Sequence, residues 1–83
     1  MDYLVTAPQQ LGQVLRGCRK QARLTQRDTA DRGGLLPKTV SALESTPERA
    51  SVETLFKILS ALDLELVLRA KGAPAPPRAR ADW

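Results

Sequence analysis

The apolar positions of this chain fall in short runs whose period changes once. Leu11, Val14, Leu15, Cys18 and Ala22 recur at spacings of three and four, which puts them on one helical face and predicts a helix over residues 7–23. Thr6 and Gln9 have the form of a capping box at its start, and Pro8 is tolerated in a first turn. A second helix starts at Thr25, whose hydroxyl is followed three positions on by the Asp28 carboxylate, and runs to about Arg32. Gly33-Gly34 stops it, because glycine takes the positive φ of a helix end without strain. Leu24 and Ala30 are its residues for burial. Pro37 opens a third helix with Val40 and Leu43 on its inner side. Lys38, Thr39, Ser41 and Ala42 face outward or to the flank. Pro47 turns Thr46 away from helical geometry and ends it. Ser51 caps a fourth helix, whose stripe of Val52, Leu55, Phe56, Leu59 and Leu62 predicts the centre of the core.

Then the period shortens to two. Leu64, Leu66 and Leu68 alternate with Glu65, Val67 and Arg69, a strand pattern. The competing reading is a helix that continues past Asp63. A strand needs a hydrogen-bonding neighbour, and the chain holds no second strand pattern. The simplest neighbour is the same strand of a second copy, which makes a two-fold dimer with Leu64, Leu66 and Leu68 as dimerisation residues. From Gly72 the segment GAPAPPRARADW has little that can pack and is expected to be disordered, although it ends in Trp83. The expected organisation is therefore one domain over 1–71 and a tail over 72–83.

Composition narrows the picture. A chain of 83 residues builds one thin core, and stability leans on association. The single cysteine, Cys18, excludes an intrachain disulfide and suits a reducing cytosol; its place on the apolar helix face favours packing over reactivity. MDYLVTAPQQ lacks the basic and apolar regions of a signal peptide, and no window approaches the roughly 20 apolar residues of a membrane span. A soluble, cytoplasmic protein is expected. Charge is divided: Gln9–Lys38 carries seven basic residues against two acidic ones, a net +5, and Glu44–Glu65 five acidic against two basic, a net −3. A basic half suits a polyanion, although solvated helix faces give the same count. There is no histidine and no glycine-rich phosphate loop, so catalysis, cofactors and a metal site are not expected. Asp28 and Asp31 lie on a helix surface and are explained by the helix dipole.

Two short helices joined by a glycine-containing turn, with apolar helices behind them, have the helix-turn-helix form. Such a pair lays its first helix across the DNA backbone and its second in the major groove. Lys38, Thr39 and Ser41, at the start of the second helix, are short or flexible polar residues that reach base edges. Gln26, at the start of the first, is placed to donate to phosphate. Arg23 and Arg27 are divided evenly between phosphate contact and plain solvation.

LTQRDTADRGGLLPKTVSALES resembles the Xre/Cro type of helix-turn-helix through Thr25-Gln26, Ala30, Gly34, Val40-Ser41 and Leu43-Glu44. From Gln10 to Leu68, and most of all in Phe56-Lys57-Ile58-Leu59, Leu62 and the Leu64–Leu68 segment, the chain is similar to HipB-type antitoxins, which partner HipA-type serine/threonine kinase toxins. The resemblance implies an all-α, four- or five-helix, lambda-repressor-like domain with one C-terminal strand paired across a homodimer. It implies binding to palindromic double-stranded operator DNA, repression of the chain's own operon in the bacterial nucleoid, and neutralisation of the kinase. It implies DNA contacts from Gln26, Arg27, Lys38, Thr39, Ser41 and Ala42, and toxin contact from Trp83, which as a terminal residue could equally fold back or hang free. It also implies an ion pair between Arg19 and Glu44. Leu36-Pro37-Lys38 departs from the polar residues often found there, so base readout falls mainly to Lys38. Thr29 and Gly33 stand where relatives are apolar, which predicts a weakened core. A stand-alone phage-type repressor without a toxin is the alternative, and a module that has lost DNA binding is a third reading.

Overall fold

The computed structural model describes residues 2–72, so Trp83 and the rest of the expected tail from 73 onward lie outside the described residues. The chain order is α1 (Pro8–Gln21), α2 (Gln26–Gly33), α3 (Pro37–Ser45), a single 3₁₀ turn (Pro47–Arg49) and α4 (Val52–Ala61). The fold is all-α, as expected.

Local chemistry sets most of the boundaries. α1 begins one residue later than the spacing predicts. Pro8 takes the first helical position, Ala7 becomes the cap, and no side chain bonds the helix end. The Thr6–Gln9 capping box does not form. Instead the backbone N–H and the hydroxyl of Thr6 both donate to Gln10 Oε1, at 2.7 and 3.2 Å. At α2 the predicted box is present: Asp28 N–H donates to the Thr25 hydroxyl and Thr25 N–H to the Asp28 carboxylate, both at 3.0 Å. Hydrogen bonding from Thr25, its backbone N–H first and its side chain second, holds the Asp28 carboxyl below the usual carboxylate range. α2 runs through Gly33, and Gly34 supplies the left-handed residue at φ 68°. The Ser51 hydroxyl accepts from Thr54 N–H at 3.1 Å and caps α4.

The core is Leu15, Ala30, Val40, Leu43, Ile58, Leu59 and Leu62, with Leu11, Cys18, Leu24, Leu35, Ala50, Leu55 and Leu64 packed against it. Cys18 is half-buried rather than sealed. Ala22, the cap residue after α1, is exposed and does not extend the apolar face. The expected stripe of α4 is corrected by about half its members. Ile58, Leu59, Ala61 and Leu62 turn inward, whereas Val52 and Phe56 are 68% and 51% exposed. Thr29 and Gly33, expected to weaken the core, are both accommodated in the packing. Thr29 is fully buried and its hydroxyl donates to the Thr25 carbonyl at 3.0 Å, so no polar group is left unmade. Gly33 lets α2 press on α4: an added Cβ would stand 3.1 Å from the Lys57 carbonyl oxygen.

α4 ends at Ala61 and does not continue past Asp63. Leu64 N–H donates to the Leu59 carbonyl at 2.8 Å, and Asp63 takes φ 58°. No strand forms among the described residues, because a strand exists only by pairing and the single chain has nothing to pair with. Of the three alternating leucines, Leu64 packs on the chain's own core, while Leu66 and Leu68 are exposed.

Candidate nucleic-acid interface

One buried polar cluster ties α1 and the turn before α2 to the end of α3. The Arg19 side chain from α1 donates to both Glu44 oxygens, Nε to Oε2 at 2.6 Å and NH2 to Oε1 at 3.1 Å. NH1 donates to the Leu24 carbonyl at 2.9 Å in the turn before α2. The two side chains are 10% and 5% exposed. Hydrogen bonding to Glu44 raises the Arg19 pKa further above its ordinary value, so the guanidinium stays charged. Burial makes such a pair of modest net value when intact and costly to break from one side, about 3–5 kcal/mol. Arg19, counted among the basic residues in the sequence, is thereby structural.

Gln26 opens α2 beside this cluster. Its amide nitrogen lies 3.4 Å from Glu44 Oε1, a long hydrogen bond that reaches from α2 to α3. Gln26 is half-buried. The sequence pattern marks Gln26 as a phosphate donor but shows nothing of this anchor, which depends on a residue 18 positions away.

On α3, Val40 and Leu43 are buried and Lys38, Ser41 and Ala42 are exposed, with Thr39 half-buried on the flank. Lys38, Ser41 and Ala42 stand three and four apart and share the outward face. Ser45, the next position of that series, is exposed on the same face and was not singled out by sequence pattern. Its hydroxyl donates to the Ser41 carbonyl at 2.9 Å. No acidic residue sits in the first turn of α3.

The exposed charge of α1, α2, α3 and the turns between them is mostly basic, with Asp28 and Asp31 on α2 the exposed acidic residues. Arg16, Lys20, Arg23, Arg27, Arg32 and Lys38 are all exposed, and none is ion-paired with another described residue. The expected DNA-facing residues Gln26, Arg27, Lys38, Thr39, Ser41 and Ala42 thus lie on the paired helices α2 and α3. Leu64, Leu66 and Leu68 follow α4, where Phe56, Leu59, Ser60, Leu64 and Leu66 line, together with the acidic Asp63 and Glu65, an open groove of about 410 Å³. Among the described residues no helix is long and apolar enough to cross a membrane, and no group of three acidic or cysteine residues could hold a metal.

Residues 15–68 match a family model described as Helix-turn-helix. Antitoxin HipB of Escherichia coli O6:H1 is 34% identical over 64 residues, 77% of this chain and 68% of the relative. A complex of a HipB variant with an O2 20mer superposes with a TM-score of 0.81 at 30% identity, over 86% of this chain and 99% of that one. The HipB of a HipA-HipB-O2-O3 complex gives 0.80 at 30% identity, over 84% and 99%.

Proposed function

Because the chain belongs to the helix-turn-helix family and, within it, to the HipB antitoxins, we propose that it is a dimeric operator-binding antitoxin. It represses its own operon and neutralises a HipA-type serine/threonine kinase. The observation that carries the DNA-binding half is the outward face of α3, with Lys38, Ser41 and Ala42 exposed and no acidic residue in its first turn. In this reading α3 enters the major groove, Lys38, Thr39, Ser41 and Ala42 address base edges, and Gln26 and Arg27 bind phosphate through α2. The partner half is supported by the similarity to HipB in a complex with HipA.

The remaining assignments follow from the same reading. Residues 1–71 form the DNA-binding and dimerisation domain, in which Leu64, Leu66 and Leu68 pair across the two-fold. The 72–83 tail carries Trp83 to the kinase. The protein works by binding and not by catalysis, in the cytoplasm at the nucleoid. The test has two arms. A gel shift with DNA from upstream of its own gene should be salt-sensitive, and Lys38→Ala should weaken it by about 1–3 kcal/mol. Isolation of the tagged protein from its own cell should retain a kinase-sized partner. A shift without that partner would make the protein a plain repressor, and no shift even in dilute buffer would remove the DNA-binding role.

A further inference from the structure

Resting on the operator-binding reading, we propose that Leu36 and Pro37 form an apolar base-reading tip. The operator half-site then carries a thymine whose 5-methyl group this tip covers, beside a guanine reached by Lys38.

The backbone makes the case. Residue 36 is extended, with φ −89° and ψ 148°, and an extended residue sends neighbouring side chains to opposite sides. Leu35 is thereby turned onto the core, while Leu36 is turned out and is 59% exposed. Leu36 also occupies the cap position of α3, and no side chain bonds that helix end. A serine, threonine or aspartate there would supply the missing bond and remove an apolar side chain from water. Two local costs therefore fall on one residue, at the start of the helix whose outward face carries Lys38 and Ser41. An apolar group on the bound ligand accounts for both. In the major groove the 5-methyl of thymine is the aliphatic group that base edges present. Pro37, exposed beside Leu36, has no N–H to offer and adds apolar surface only. Lys38 follows with an exposed ammonium that pairs with no described carboxylate, and guanine O6 and N7 are its natural acceptors. The pairing of an apolar tip with an adjacent cation specifies a step, a 5-methylpyrimidine next to guanine, and not merely a charged surface.

The experiment measures affinity by fluorescence anisotropy on a duplex from upstream of the gene, with each half-site thymine replaced in turn by deoxyuridine. This removes the methyl and nothing else. At one position per half-site the parent protein should lose about fourfold in affinity. Leu36→Ala, checked for folding by its melting curve, should bind thymine and uracil equally at that position. Replacing the neighbouring guanine by 7-deazaguanine should weaken the parent and leave Lys38→Ala unaffected. Affinity within about twofold at every uracil position overturns the proposal, as does a Leu36→Ala protein that still prefers thymine. Failure of the parent to bind any such duplex overturns the operator-binding reading itself, and the methyl contact with it.

Discussion

Arg23 holds a backbone conformation that arginine has no intrinsic reason to adopt. At φ 59° it is the left-handed residue after α1, where its N–H donates to the Lys20 carbonyl and the next N–H to the Arg19 carbonyl. Glycine is the residue this geometry favours, and a side chain there costs about 1 kcal/mol. Arg23→Gly is therefore expected to raise stability by up to about 1 kcal/mol, read from chemical denaturation. In a salt titration of operator binding it should lower the slope by about 0.9 for each phosphate the arginine neutralises in the parent. A stabilised variant with an unchanged slope would return Arg23 to plain solvation. Asp28 gives a second residue-scale expectation. Its folded pKa is depressed, so its contribution is fully present above the ordinary carboxylate value and is lost as pH falls through the lower folded value. Thermal melts of the parent and Asp28→Asn should differ at neutral pH and converge as the solution is acidified well below the ordinary carboxylate range. A constant difference would mean that the carboxylate charge contributes nothing to the cap.

Between elements, close approach matters more than propensity. Gly12 is buried in α1, and a Cβ there would run into the Glu44 carbonyl at the end of α3, with the Pro47 ring 3.3 Å away. Alanine gains about 1 kcal/mol of helix propensity over glycine, but here it must push apart α1 and α3. Gly12→Ala should destabilise the fold by about 1–3 kcal/mol. Because α3 is the displaced element, operator affinity should fall with it; a more stable variant would show that the contact is soft. This is also where sequence reading stops short. The Thr25–Asp28 box, the Ser51 cap and the Pro37 start are legible because each is decided within four residues. Gly12 and Gly33 act across helices, and the Gln26–Glu44 bond joins residues that no local pattern connects. The face of α4 misleads for a related reason: a period of 3.6 finds apolar positions but does not say which of them meet the chain's own core.

At the scale of the whole molecule, the α2–α3 pair and the segment around α4 expose different chemistry. α2 and α3 expose polar residues and the charges of Arg27, Arg32 and Lys38 against Asp28 and Asp31. α4 and the segment after it expose Val52, Phe56, Leu66, Val67 and Leu68, and Phe56 and Leu66 line an open groove. In the proposed dimer that side is the shared face, and each subunit offers its α3 to one half-site. Once the first half-site is engaged the second binds from a high effective concentration, which multiplies affinity by about 10²–10⁴ without any additional interaction with DNA. Phe56 separates this effect from folding, since it is half-exposed and outside the buried core. Phe56→Asp is expected to leave the melting curve of the single-chain fold recognisable while sedimentation shows a monomer. Operator affinity should then drop by more than the loss caused by Lys38→Ala, although Phe56 touches no DNA in this arrangement. A variant that remains dimeric would place the association surface elsewhere, and one that is monomeric yet binds the full operator as the parent does would show that the two half-sites are read independently.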